Sequence, residues 1–105
     1  MFELRTYTLS SPETLEQYAT IHWQRHIDSL ATHGVTTHHV WKRVDGDLHQ
    51  LVALVEYAAG ADPRAVTETY MGSTEFRADM DGFPMDAIQG VSSVFVEPAS
   101  SDPTV

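Results

Sequence analysis

Two histidines four residues apart, in the segment IHWQRH, are the side chains of this sequence best suited to chemistry. Imidazole titrates near neutral pH, so His22 and His26 can transfer protons, bind a metal ion or form buried structural hydrogen bonds. Residues at this spacing are neighbours on one face of a helix, where they can share a ligand or a water molecule. Acid/base catalysis, metal binding and a structural role are therefore the three alternatives.

A metal site is the least favoured of these alternatives. The segment HWQRH lacks the glutamate of the helical zinc motif, and the sequence offers no obvious carboxylate as a third ligand. The aspartates of DMDGFPMD, namely Asp79, Asp81 and Asp86, are too sparse for a calcium loop and are interpreted as loop and cap residues. Haem held by one histidine is a further, weaker alternative. We expect no cofactor.

The helix that carries both histidines is predicted over residues 11–33. Serines and Pro12 begin it, and Gly34 ends it. On a 3.6-residue repeat, His22 and His26 fall within an apolar arc, so we expect both to face a sheet. The arc contains Leu15, Tyr18, Ala19, Trp23 and Leu30.

Strand residues supply the other candidate contacts to a substrate. His38 and His39 are consecutive in a predicted strand, so their side chains should leave opposite faces, and alternation does not decide which joins the helical pair. Glu3 and Arg5 can pair with each other or across a dimer, which we favour over a substrate carboxylate on Arg5. The predicted substrate-binding residues are Tyr7, Arg5, Tyr18, Trp23, His38 and His39, with His22 and His26 as catalytic residues.

The remaining elements complete an α+β fold. Alternating residues predict a first strand at FELRTYTL, and Asp45-Gly46 joins VTTHHVWKR to LHQLVALVEY as a hairpin. Pro63 opens a second helix over RAVTETYM, a short helical piece follows near residues 74–80, and GVSSVFVEP reads as the last strand. The order β-α-β-β-α-β predicts a ferredoxin-like domain with a four-stranded antiparallel sheet.

A homodimer is expected because two helices can cover only one face of that sheet. The run LVALV lacks alternation, which predicts a strand buried on both faces. The second face packs most simply on a copy of itself, which gives a dimeric α/β barrel. We assign residues 1–98 to one domain and 99–105 to a polar tail expected to be mobile.

Composition excludes several classes of protein. With 105 residues the chain has room for one domain, and its formal charge of -9 argues against nucleic acid and anionic membranes as partners. It has no cysteine, hence no disulfide and no thiolate chemistry. It lacks a signal-peptide pattern and any apolar stretch near the ~20 residues that span a membrane. We therefore expect a cytoplasmic protein.

Several segments together resemble the NIPSNAP family over nearly the whole chain. They are FELRTYTL, the helix ending in HG, VWKRVDGDLHQLVALVEY, STEFRADM and VSSVFVEP. One departure is Ser73-Thr74-Glu75-Phe76, where the family usually has a DPEW-like segment. The resemblance implies the dimeric α/β-barrel superfamily, which includes cofactor-independent monooxygenases, polyketide cyclases, lactone isomerases and haem-degrading enzymes. It implies no fixed catalytic residue.

The sequence thus favours a small, cofactor-independent homodimeric enzyme that binds a hydrophobic or aromatic small molecule between sheet and helices. Proton-transfer chemistry is expected, such as cyclisation, isomerisation or dehydration, or else cofactor-free oxygenation. His22 or His26 would be the base, since histidine is the best acid/base near neutral pH. The alternative is a noncatalytic NIPSNAP-type module for ligand binding or interaction, which needs no titrating pair.

Overall fold

A computed structural model describes residues 1–99, and its element order is the predicted one. The strands are β1 (Phe2–Leu9), β2 (Val35–Lys42), β3 (His49–Tyr57) and β4 (Ile88–Val96). The helices are α1 (Pro12–Gln17), α2 (Trp23–Thr32), α3 (Pro63–Met71) and α4 (Thr74–Asp79). A π-helical turn (Tyr18–His22) joins α1 to α2, and a short 3-10 helix (Met85–Ala87) precedes β4. Except for residue 99, the predicted tail lies outside the described residues.

The four strands form one antiparallel sheet in the order β2-β3-β1-β4. The predicted ferredoxin-like architecture is therefore confirmed. Alternation sets the faces of β1, where Glu3, Arg5, Tyr7 and Leu9 are buried on the side that carries the helices. The core between sheet and helices includes Leu9, Leu30, Val35, Leu51 and Val55, which are almost completely enclosed.

Local sequence explains where the helices begin. The side-chain oxygen of Ser11 caps α1 by accepting from the Thr14 backbone N–H. The Thr14 side-chain oxygen in turn accepts from the Ser11 backbone N–H, which completes a capping box. The side chains of Asp62 and Ser73 cap α3 and α4 by accepting from the backbone N–H groups of Arg64 and Phe76. Gly34 follows α2 with a φ of +80°, a conformation that favours glycine. The caps therefore fix the ends of the elements that enclose the site.

The sheet face opposite the helices is uncovered in the single chain. Val52 and Leu54 of the LVALV run are only half-buried, so the prediction that β3 is buried on both faces does not hold within one copy. Trp41 of β2 is exposed on the same side beside Val52, and Val94 and Val96 of β4 are exposed there beside Leu4 and Phe2 of β1. We refer below to this surface as the open face.

Candidate functional site

A cavity of about 510 Å³ lies between the helix side of the sheet and the helices. This volume is within the range of small-molecule sites. Its wall is mostly apolar and includes Leu30, Phe76, Met80 and Ile88, with the exposed side chains of Met71 and Met85 also lining it. Its polar lining residues are Glu3, Arg5, Tyr7, Tyr18, His26, Thr67, Tyr70 and Ser93, together with the indole of Trp23.

A π-helical turn directs the aromatic and histidine side chains of the first helix into the domain. The Trp23 N–H bonds to the Tyr18 carbonyl, five residues back, which widens the turn and shifts the helical register. As a result Tyr18, His22, Trp23 and His26 are all buried, although His22 and Trp23 are adjacent in sequence. The inward position of both histidines agrees with the helical prediction. The turn itself was not predicted.

His26 ends a chain of hydrogen bonds that runs from the cavity wall into the protein. Its Nδ1 is bonded to the Tyr70 hydroxyl, and Tyr70 donates to Asp79 Oδ2 at 2.5 Å. Ser29 donates to the other carboxylate oxygen of Asp79 at 3.0 Å. Because Tyr70 has one proton and gives it to Asp79, Nδ1 of His26 must be the donor to Tyr70. The neutral imidazole therefore keeps its lone pair on Nε2.

That Nε2 atom is the one available to a ligand. It has no hydrogen-bond partner among residues 1–99, and it is not one of the fully enclosed unpaired atoms there. Burial lowers the pKa of His26 from 6.5 to about 4, and the Asp79 carboxylate opposes the shift only in part. At neutral pH His26 therefore presents an unprotonated nitrogen to the cavity that it lines.

His22 is held differently, behind the wall of the cavity. Its Nδ1 donates to the backbone carbonyl of Asp79 at 2.8 Å, and its Nε2 accepts from the Gln17 amide at 3.2 Å. Phe83 packs against the ring with centroids 4.9 Å apart. Both ring nitrogens are occupied, and His22 is not among the residues that line the cavity. Its predicted catalytic role remains a prediction that this placement does not favour.

The cavity has two polar regions, of which the first is His26 with Tyr70. The second is a buried ion pair between Glu3 and Arg5. Arg5 Nε donates to Glu3 Oε1 at 2.6 Å, and Arg5 Nη2 donates to the Tyr57 hydroxyl at 2.7 Å. Tyr57 in turn donates to Glu3 Oε1 at 2.6 Å, which closes a three-membered network. The expected pairing of Glu3 with Arg5 is confirmed within one chain. Tyr57, in the core beside it, was not predicted as a partner.

The charges of this pair are firmly held. Burial by itself would raise the pKa of Glu3, but hydrogen bonds from Tyr57 and Arg5 outweigh it and lower that pKa. Burial by itself would lower the pKa of Arg5, but Tyr7 and Glu3 outweigh it and raise that pKa. Both groups are therefore ionised at neutral pH and neutralise each other.

An aromatic wall connects the two polar regions. Tyr7 packs edge-on against Tyr18 and Trp23, with ring centroids 5.3 and 5.9 Å apart, and Trp23 packs edge-on against His26 at 5.2 Å. The indole Nε1 of Trp23 is fully enclosed and has no hydrogen-bond partner among residues 1–99. Burial raises the pKa of Tyr18, so its phenol stays protonated. Tyr7, Arg5, Tyr18 and Trp23 all line the cavity, as expected for substrate contacts.

His38 and His39 do not reach this cavity. The pairing of β2 with β3 shifts register between Thr37 and His39, and this bulge interrupts the alternation of side chains. Both imidazoles consequently lie on the open face, where His38 bonds to Glu56 at 2.8 Å and His39 stacks on Trp41. The expectation that they leave opposite faces is therefore wrong, and neither joins His26.

Tyr70 and Asp79 are the functional residues that the sequence did not reveal. Asp79 was interpreted as a loop or cap carboxylate, but it is the buried last residue of α4. Tyr70 lies near the end of α3, nine residues earlier. Aspartate is seldom buried unless it is paired, and the short helix TEFRAD gives no sequence signal that its aspartate turns inward.

Comparison with protein families decides the classification. A sequence model described as NIPSNAP matches residues 2–103. The chain belongs to the NIPSNAP family. Within this NIPSNAP domain the segment Ser73-Thr74-Glu75-Phe76 begins α4, and Phe76 lines the cavity with its ring stacked on His26. A search of curated proteins gave no match.

Solved structures share the fold of this NIPSNAP domain. A NIPSNAP domain protein from Burkholderia xenovorans, titled uncharacterized, has a TM-score of 0.74 at 19% identity, covering 97% of each chain. A nipsnap family protein of unknown function from Agrobacterium tumefaciens has a TM-score of 0.76 at 16% identity. The match covers 99% of this chain and 92% of the Agrobacterium chain. A structure titled antibiotic biosynthesis monooxygenase has a TM-score of 0.55 at 14% identity, covering 95% and 100%. These identities support the fold alone.

Two further observations concern the described part of the chain. Across residues 1–99, histidine and carboxylate side chains do not gather in the groups of three or more that a metal ion would need. None of the helices in that range has the length and apolar character required to cross a membrane.

Proposed function

We propose that this protein is a cofactor-independent enzyme that binds an apolar or aromatic small molecule in the cavity and moves a proton on it with His26. The observation that carries the proposal is the free Nε2 lone pair of His26 in the wall of an apolar cavity, with Nδ1–H held by Tyr70. General base catalysis needs such an acceptor within reach of the substrate.

The hydrogen bonds from His26 to Tyr70 and from Tyr70 to Asp79 support the proton transfer. When Nε2 takes a proton from a carbon atom next to a carbonyl group, the C–H bond breaks and the imidazole becomes an imidazolium. Tyr70 and the Asp79 carboxylate lie on the far side of the ring and stabilise this charge, with Asp79 Oδ2 3.5 Å from Nδ1. The same imidazolium can return the proton to another atom, which completes an isomerisation and prepares a cyclisation or a dehydration.

The donors of the second polar region suit the oxygen of the resulting enolate. Arg5 has five N–H groups, and its contacts to Glu3, Tyr57 and Tyr7 use three of them. The contact of Arg5 Nη1 with the Tyr7 hydroxyl is long, at 3.5 Å. Arg5 and Tyr7 are therefore the residues that we assign to the developing negative oxygen. Donors fixed before the reaction stabilise such an oxygen without reorganisation.

Oxygenation is the second candidate function. The fold is shared with a structure titled antibiotic biosynthesis monooxygenase. The carbanion formed by His26 could pass its electrons to dioxygen, which adds to carbon, and the imidazolium proton would complete a hydroperoxide. The alternative without catalysis is a ligand-binding module, in which the bond from His26 to Tyr70 only satisfies buried polar groups.

We also propose that a second copy of the chain covers the open face. Apolar side chains from all four strands lie on this face, and contiguous apolar patches on a protein surface often mark interaction sites. They are Phe2, Leu4, Trp41, Val52, Leu54, Val94 and Val96. A two-fold arrangement would pair this face with itself and leave the cavity on the outer side of each sheet.

Deuterium exchange tests the proposed chemistry without knowledge of the natural substrate. The probe is β-tetralone, an uncharged bicyclic ketone with acidic C–H bonds, followed by proton NMR in deuterium oxide. We expect the protein to accelerate exchange above the buffer rate, and Met71→Trp, which narrows the cavity, to reduce that acceleration. Ile21→Trp is the matched control, since Ile21 is an exposed helical residue outside the cavity lining. No acceleration by the wild-type protein would contradict the proposal.

A further inference from the structure

The charge on the cavity wall is balanced to zero. Among the described residues (1–99) that line the cavity, Arg5 is the one cation and Glu3 the one anion. His26 is neutral at pH 7 because burial lowers its pKa to about 4. Asp79 lies behind Tyr70 and does not line the cavity. A bound ligand would therefore face no net charge from the lining.

Glu3 and Arg5 are so closely paired that neither presents a net charge to a ligand, although Arg5 keeps N–H groups that can donate hydrogen bonds. They are joined at 2.6 Å, and both side chains are about 10% exposed. Tyr57 bonds to both partners and fixes their separation. A ligand carboxylate beside Arg5 would lie near the Glu3 carboxylate as well, so attraction by one would be opposed by repulsion from the other.

We infer that this cavity selects uncharged ligands over anionic ones and that Glu3 is the residue that sets the selectivity. The inference rests on the proposed function in one respect, which is that the cavity is the ligand site. It adds a substrate class: a neutral, mostly apolar molecule whose carbonyl or hydroxyl oxygen is hydrogen-bonded by Arg5 and Tyr7.

The physical reason is the cost of burying a charge without a partner of its own. An anion that enters the cavity loses its water and gains no net opposite charge from the wall. A neutral oxygen loses far less hydration free energy on leaving water. It can still accept hydrogen bonds from the Arg5 N–H groups that have no partner in the network. Removing the charge of Glu3 while leaving Arg5 in place should therefore favour the anion.

Isothermal titration calorimetry with β-naphthamide and β-naphthoate tests this inference. The two probes match in shape, and at pH 7 they differ in charge. We expect the wild-type protein to bind the amide at least about tenfold more tightly, a difference of about 1.4 kcal/mol. Glu3→Gln should strengthen naphthoate binding by about tenfold or more and change amide binding little. Glu16→Gln is the matched control, since its exposed carboxylate pairs with Lys42 outside the cavity.

A second variant keeps the selectivity testable should Glu3→Gln fail to fold. Val91 lines the cavity from the exposed strand β4, opposite Tyr7. Val91→Lys adds a cation there without breaking the buried network, and naphthoate binding should again strengthen. Equal or tighter binding of naphthoate by the wild-type protein would overturn the charge selectivity and leave the ligand cavity standing. Failure of both probes to bind would overturn the cavity as a ligand site, and the proposed function with it.

Discussion

Tyr70 donates a hydrogen bond to Asp79 and so ties α3 to the end of α4, at a separation of 2.5 Å between Tyr70 Oη and Asp79 Oδ2. The same hydroxyl meets Nδ1 of His26, so one phenol sets the proton on the imidazole and links three helices. Burial, together with the bond to Asp79, raises the pKa of Tyr70, which keeps the phenol protonated. The protonation and hydrogen bonding of His26 are therefore coupled to the packing of α3 and α4.

Removal of the Tyr70 hydroxyl should lower both the stability of the fold and the rate of proton exchange. Tyr70→Phe deletes the partner of His26 Nδ1 and one partner of Asp79, and both groups are buried. We expect the free energy of unfolding to fall by about 1–3 kcal/mol, measured by urea denaturation. Exchange of β-tetralone should also slow in the folded fraction, since the imidazolium loses its support. An unchanged unfolding midpoint would show that the chain of hydrogen bonds is not formed.

Stability should depend on pH through His26. Its pKa is lowered to about 4 in the folded protein, from 6.5 when unperturbed, so the unfolded chain binds more protons between these values. The contribution of His26 is therefore complete above pH 6.5 and falls as the pH drops towards 4. Between pH 7 and pH 5 we expect a loss of about 2 kcal/mol from this group.

The pH effect can be isolated from that of other groups. Asp79, Tyr70, Arg5 and His22 surround the imidazole and also contribute charge or hydrogen bonds. Denaturation of the wild-type protein and of His26→Gln at both pH values gives the difference that belongs to His26. Parallel pH profiles for the two proteins would mean that His26 is not buried in the neutral form.

How much the sequence reveals depends on the range of the interaction. Alternation in FELRTYTL and the caps at Ser11 and Gly34 are local, so they predicted the first strand and the bounds of the first helix. The π-helical turn and the β2 bulge each insert one residue into a regular repeat. A periodicity argument assumes the repeat, so it misplaced His38 and His39.

The hydrogen bonds that join His26, Tyr70 and Asp79 could not be predicted from the sequence, for a different reason. His26 and Tyr70 are 44 residues apart, and their contact depends on how α3 and α4 close over the sheet. Nothing in the spacing of Tyr70 or Asp79 indicates which face of a short helix turns inward. Sequence alone therefore proposed two equivalent histidines, whereas the structure distinguishes His26, in the cavity wall, from His22, which is bonded at both nitrogens.

The oligomeric state should follow from the open face. Sedimentation should give twice the 11.7 kDa mass of the chain at micromolar concentration. Val94→Asp places a charge among the apolar residues of that face and should shift the protein towards monomer. Val44→Asp makes the same change at a loop residue that is 97% exposed and should leave the dimer intact. A wild-type monomer would refute the proposed barrel.

The central claim is that His26, and not His22, transfers the proton, and one comparison tests it most directly. Deuterium exchange of β-tetralone is measured with His26→Gln and His22→Gln, and each rate is scaled to the folded fraction found by circular dichroism. Glutamine preserves hydrogen bonding but cannot titrate at these pH values. We predict that His26→Gln lowers the exchange rate to that of buffer, whereas His22→Gln loses about 1–3 kcal/mol of stability and retains exchange. Full exchange by folded His26→Gln would contradict the account.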